Sequence, residues 1–324
     1  MATREHINEY FNGRAFMVLC AVGIVVVTFA AVMLGVRPAT SDTHGVFFSF
    51  KTPLIADTTL SAVVNVVCLL VTGGILLAVN KVFTFVRSMT HLCASAFFLL
   101  QLANPAGLVS FHVGTLMCLV MALILPPLFA AFQDRHSQRV ILLVFALVAT
   151  GCMFHYGFLI LIPAFLLGFL NMGVLNLKGL LAMLFGLVTP FWIVLGLGIA
   201  TPADALAPQW MALRWPELSP LILLAAVTAM LGIVLAALNL HTIMNYRMQT
   251  RVYNAFFIIT LVLTIIGMCL DYQSLYVYLP LLNLMVAIQV ALVHSLRTSP
   301  FRYIFLLLFI AVCAGFCFAN LMLP

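Results

Sequence analysis

Polar positions along this chain come in short clusters, and between them lie apolar runs long enough to matter physically. The runs cover residues 16–36, 58–79, 83–103, 108–132, 180–199, 220–240, 253–270, 275–293 and 303–322, with two shorter ones at 140–153 and 156–170. A helix rises about 1.5 Å per residue, so about 20 apolar residues match a hydrocarbon core of about 30 Å. The pattern predicts an all-α, polytopic integral membrane protein of about 11 transmembrane helices, including a short central helical hairpin. The runs are continuously apolar and do not alternate, which excludes a bacterial-type outer-membrane barrel.

The stretch 139–192 looks like the organising element. From 139 to 171 it is too long for one straight crossing and short for two, since 14 or 15 residues reach only about 21–23 Å. Phe154-His155-Tyr156-Gly157 interrupts it at the middle. Charge decides between one crossing and two. With the N-terminus in the cytoplasm and a hairpin at 139–171, eleven basic residues fall inside: Arg4, Arg14, Lys81, Arg87, Arg135, Arg139, Lys178, Arg247, Arg251, Arg297 and Arg302. Only Arg37, Lys51 and Arg214 fall outside. A single crossing would even the ratio to seven against seven. Basic residues accumulate in cytoplasmic loops, so the sequence predicts the hairpin, an outward His155-Tyr156 tip reachable by outside water, a cytoplasmic N-terminus and a periplasmic C-terminus in a bacterial inner membrane.

Composition agrees. Hydrophobic residues make up 65% of the chain and charged ones 7%, with mean hydropathy +1.24. Soluble domains carry about a quarter charged residues, so the charge here cannot clothe a water-facing surface. The formal net charge of +6 reads as the inside bias of the loops. No basic cluster or helix is arranged to grip phosphates, which excludes nucleic acid as a partner; the partner is the lipid bilayer. The chain reads as one transmembrane domain, 1–324, with a short cytoplasmic segment at 1–14 and outer loops at 37–57 and 200–219. The eight cysteines all fall in apolar runs and read as small packing residues.

The candidate chemistry lies on the outer side. Asp42, His44 and Asp57 are the candidate catalytic residues. A carboxylate there could serve as general base, or hold a divalent cation against a diphosphate. Asp42 is the first choice because His44 is close enough in sequence to share its proton. Asp57 is the second, because the start of a helix would fix it. His112, His155, Tyr156, Asp271 and Arg87 are the candidate substrate-binding residues. Arg87 and His91 are four apart and predicted to share a helix face at the inner side. The intramembrane amides, among them Asn65, Gln101, Asn239, Asn283 and Gln289, are expected to bond between helices. Gly73-Gly74 and the small residues of 311–315 are expected to allow close helix packing. No cofactor is implied, and no nucleotide loop, zinc motif or nucleophile elbow is present.

Phe154-His155-Tyr156 between two short apolar segments, Leu161-Ile162-Pro163, Gly186-Leu187-Val188-Thr189-Pro190 and the region 80–87 together resemble an uncharacterised Bacteroidetes-type family of multi-pass inner-membrane proteins. The resemblance covers residues 60–200. It implies no established activity and no defined catalytic residues. The architecture is analogous, at the level of fold only, to integral-membrane enzymes that handle polyprenyl-linked sugars. Three functions follow as expectations. The first is an envelope protein handling lipid-linked glycans or other envelope lipids at the periplasmic face. The second is a transporter or flippase, and the third a non-catalytic scaffold subunit. No carboxylate lies mid-span, which argues against transport coupled through a central acid.

Overall fold

The protein is described by a computed structural model over residues 11, 13–38, 42–51, 54–86, 90–134, 136–205, 219–244, 246–296 and 302–322. Among these residues the chain forms twelve α-helices and one two-stranded ribbon.

Helix α1 is Arg14–Met33. In the connection that follows, β1 (Asp42–His44) pairs antiparallel with β2 (Ser49–Lys51), with Asp42 opposite Lys51 and His44 opposite Ser49. This ribbon is the one departure from an all-helical chain among the described residues. Helix α2, Thr58–Phe83, starts where the Asp57 carboxylate accepts the Thr59 and Leu60 amides. It stops at Thr84, which takes a left-handed conformation (φ 46°). The Asn80 side chain then accepts the Val86 amide at 2.8 Å and donates to the Val86 carbonyl at 3.2 Å, turning the chain back.

The predicted run 83–103 is therefore shorter than its hydropathy suggests. Helix α3 is Leu92–Leu102, eleven residues, about 16 Å at helical rise. The Asn104–Gly107 turn signal opens a five-residue helix instead, α4 (Pro105–Val109), with Asn104 as its N-cap. The carbonyls this interruption leaves inside the bundle are taken by amides from other helices. Asn65 donates to Gly107 and Leu108, Asn283 to Leu100 and Asn320 to Ala103. Broken backbone at membrane depth is tolerated where protein satisfies it. Helix α5 follows, Val113–Ala130, with Pro126 and Pro127 inside its last turns.

The central hairpin forms as the sequence predicts. Helix α6, Gln138–Phe154, ends at His155 in extended conformation; a 3-10 turn (Tyr156–Ile160) leads into α7, Leu161–Asn171. Gly151 explains the sharp return, because any Cβ there would overlap the Phe158 ring. The remaining helices are α8 (Leu177–Gly196), α9 (Pro220–Ile243), α10 (Met248–Leu270), α11 (Leu275–Leu296) and α12 (Arg302–Met322).

Eight of these segments are long and apolar enough to cross a membrane: α1, α2, α5, α8, α9, α10, the Tyr272–Ser295 segment that contains α11, and α12. Three apolar segments are shorter: Leu92–Leu102, Gln138–Phe154 and Tyr156–Asn171. Successive segments run in opposite directions. At one end, here called the ribbon end, Val46 bonds to Cys152, Leu54 to Phe111, and Asn320 to Ala103. At the opposite end Gln133 bonds to Met172, and Phe83 packs against Phe129 and Tyr253.

The element that organises the bundle is α11, and not the stretch 139–192. In the Tyr272–Ser295 segment 89% of the most apolar window is buried, against 17% for α8. Helix α11 packs on α3, α5, α9 and α10, while α8 lies on α6 at the periphery. Hydropathy cannot separate the two, because a helix among helices and a helix among lipids are equally apolar.

Of the paired glycines, Gly73 packs against the Phe98 ring, and Gly74 has open space. Gly315, in the small-residue stretch of α12, also faces open space, so neither Gly74 nor Gly315 serves close packing within the chain. The eight cysteines are all free thiols; Cys269 is exposed and the others are buried or half-buried.

Candidate functional site at the ribbon end

The first turn of α11 and the residues preceding it bring several candidate groups together. Tyr278 reaches back two helical turns, and its hydroxyl donates to Asp271 Oδ2 at 3.4 Å. Its ring meets the His155 imidazole edge-on, with centroids 6.4 Å apart. His155 is 3% exposed. Its Nδ1 accepts the Gly157 amide at 2.8 Å, which leaves the ring proton on Nε2. That is the ring's one hydrogen bond among the described residues, and the fully buried side-chain atoms left without a partner belong to His91, Gln101 and Asn254, so Nε2–H is not sealed in. Burial pushes the His155 pKa down to about 4, although the Asp271 carboxylate pulls the other way; His44 adds to the downward shift. His155 is thus a neutral hydrogen-bond donor at pH 7, near a carboxylate.

The ribbon covers this group. Val46 N–H donates to the Cys152 carbonyl at 3.1 Å and Phe48 N–H to the Met153 carbonyl at 3.4 Å. These are C-terminal carbonyls of α6 that the helix itself leaves unpaired. Phe47 packs on Phe191 and Phe48 on Phe154, with centroids 5.9 and 6.0 Å apart. His155 at the hairpin tip is therefore buried beside the ribbon, where the sequence predicts a tip reachable by outside water, while Phe154 and Tyr156 on either side are half-buried. Two local signals, a helix ending in extended backbone and a loop with free amides, meet only in three dimensions. Tyr156 is half-buried, close enough to Cys152 to be influenced by it.

His112 lies on the α5 side of the same α11 turn, its ring 6.5 Å from that of Tyr276. It is 2% exposed. Nδ1 accepts the Thr115 amide at 3.2 Å, capping α5, and the Gly107 backbone lies close enough to the ring to favour its protonated form. Burial lowers its pKa to about 4. His112 thus serves as the N-cap of α5. Asn65 and Ser61, one turn apart on α2, complete the cap. Asn65 Oδ1 accepts the Thr115 hydroxyl at 2.6 Å, and Ser61 Oγ accepts the Phe111 amide at 2.7 Å.

Asp57 stands apart from His155. Its exposed carboxylate Oδ1 accepts the Thr59 amide at 2.9 Å and the Thr59 hydroxyl at 2.7 Å, and these bonds hold its pKa below the usual carboxylate value. That is helix-cap geometry. Asp42 belongs to β1 by its backbone, and its side chain lies outside what the structure describes. Arg87 lies outside the described residues altogether. His91 is the residue before α3, and the helix face that the sequence predicts it to share with Arg87 lies outside the described residues. Burial and the Arg14 charge lower the His91 pKa.

Of the sequence-predicted set, the fold brings together His44, His155 and Asp271. It adds Tyr278, which sequence reasoning missed. The signal was available: Asp271-Tyr272-Gln273-Ser274-Leu275-Tyr276-Val277-Tyr278 is the most polar and aromatic entry to any run, and seven residues span two helical turns. Among the described residues no three His, Cys, Asp or Glu side chains converge as a metal site. Compared with protein-family models, with curated proteins and with solved structures, the chain matches none.

Proposed function

We propose that this is an inner-membrane protein of 11 crossings, with a cytoplasmic N-terminus and a periplasmic C-terminus. In this reading it acts at its periplasmic, ribbon end on a lipid-borne substrate, a polyprenyl-linked glycan or another envelope lipid. Eleven crossings count the eight long segments and the three short ones. The alternation of segment directions and the inward excess of basic residues support that orientation.

The observation that carries the functional reading is the grouping of His155, Asp271 and Tyr278 under the ribbon. Asp271 is a carboxylate able to take a proton from an attacking hydroxyl. His155 offers Nε2–H to an oxygen that gains negative charge. Such a pair serves group transfer between oxygens. Asp271 replaces Asp57 as the proposed base, because Asp57 is occupied as a helix cap. The site lies at one end of a bundle whose outer helices expose apolar side chains, so a lipid-anchored substrate can approach along the membrane.

The test uses purified protein in proteoliposomes with radiolabelled polyprenyl-diphosphate glycan, with and without EDTA. Wild type should convert the substrate. Asp271→Asn should lose about 100- to 10,000-fold in rate, the usual cost of a lost general base, at unchanged protein level. Loss of turnover in EDTA would mark a divalent cation. Movement of intact lipid between leaflets without conversion would instead indicate a flippase. Neither activity, with Asp271→Asn neutral in cells, would leave the scaffold role.

A further inference from the structure

We infer that the ribbon segment His44–Phe48 is a lid over the His155 site, pinned at Gly45 and built to lift. The inference rests on the ribbon-end site proposed above, but its test does not depend on turnover.

Two three-residue strands do not hold a position alone, so docking sets where the ribbon lies. The main-chain docking bonds among the described residues are of one kind. Val46 and Phe48 amides cap the Cys152 and Met153 carbonyls at the end of α6. Water can satisfy the same four groups if the ribbon lifts, because they lie at the end of the bundle. Lifting therefore leaves no polar group stranded in an apolar interior. The aromatic contacts Phe47–Phe191 and Phe48–Phe154 set the closed position. Gly45 permits it, because a Cβ at this residue would overlap the Met153 carbonyl and the Phe154 backbone. These are main-chain atoms of a helix end and cannot swing aside.

The covered side gives the lid its purpose. His155 is 3% exposed, and its ring makes one hydrogen bond among the described residues, through Nδ1. A ligand oxygen seated beside Nε2 would accept its proton. Asp271 and Tyr278 adjoin the same ring. A ring donor beside a carboxylate, placed under a cover held by exchangeable bonds, is suited to admitting a ligand and then excluding water.

The test has two arms on the full chain in nanodiscs. In the unmodified protein, hydrogen exchange at the Val46 and Phe48 amides should occur as one unit, at least about tenfold faster than at interior amides of α6. Exchange as slow as the α6 interior would overturn the lid. In a background lacking the native cysteines, His155→Cys should react slowly with a small membrane-impermeant maleimide, relative to Thr58→Cys, whose position is exposed. Adding Gly45→Val should accelerate labelling at position 155 at least about tenfold while leaving Thr58→Cys unchanged. Phe48→Ala serves as a second loosening variant should Gly45→Val not fold. Equal rates at 155 with and without loosening would also overturn the lid. Correct lid behaviour with a catalytically silent Asp271→Asn would remove the proposed activity and leave the lid standing.

Discussion

The side-chain amide of Asn239 donates to both carbonyls of Gln289, at 2.7 Å to the side chain and 3.1 Å to the backbone. Gln289 passes the chain on, its Nε2 donating to Asn254 Oδ1 at 3.2 Å. All three residues are at most 1% exposed, and they lie on α9, α11 and α10. One row of amides thus ties three helices near the end opposite the ribbon, with Asn254 Nδ2 left without a partner.

Gln289→Leu should destabilise the protein by about 1–3 kcal/mol, because it strands Asn254 Oδ1 and leaves Asn239 only its bond to the main-chain carbonyl of residue 289. Replacing Asn239, Asn254 and Gln289 all by leucine should recover much of that loss, since no polar group then remains unpaired. Thermal unfolding in nanodiscs measures both. A Gln289→Leu protein as stable as wild type would mean that water or lipid already competes for these amides.

Stability should fall on acidification. His112 and His155 both have folded pKa values of about 4, against about 6.5 when unfolded. Folding holds both rings neutral, so the unfolded chain binds more protons between those values. The stabilisation is complete above about pH 6.5 and declines as pH falls towards 4, by up to about 3 kcal/mol per ring. Melting temperature measured from pH 7.5 to 4.5 should drop through that window. His155→Gln should flatten the slope. His112→Asn should do so too while keeping the α5 cap, because Asn caps helices well.

Asp57→Asn should be close to neutral in stability and in any cellular phenotype, whereas Asp57→Ala should lower the melting temperature. Asn keeps an oxygen for the Thr59 and Leu60 amides, and Ala does not. A strong loss of activity in Asp57→Asn at normal abundance would restore Asp57 as a catalytic carboxylate.

Topology reporters placed at Arg247 and at the C-terminal residue should read cytoplasmic and periplasmic respectively. The two lie an odd number of proposed crossings apart, α10, α11 and α12. A cytoplasmic C-terminus together with a cytoplasmic Arg247 would break the count of 11.

Several features were legible from residue order alone because their causes are local. The membrane class follows from charge too sparse to face water. The hairpin at 139–171 follows from its length and the charge balance on either side, and Gly151 and His155 make the turn where the sequence places it. The break at Asn104-Pro105 was also visible, although the sequence suggested a turn and the chain makes a short helix. What only the tertiary structure decided depends on which apolar surface meets which. Lipid and protein reward the same side chains, so hydropathy could not tell that α11 is enclosed while α8 is peripheral. Nor could it show that the ring of His112 caps α5 against Tyr276 while that of His155 lies against Tyr278 and beside a ribbon more than 100 residues earlier in the chain. Tyr278 joined Asp271 and His155 for the same reason: α6 and α11 meet at that end of the bundle, and a linear sequence carries no record of that meeting.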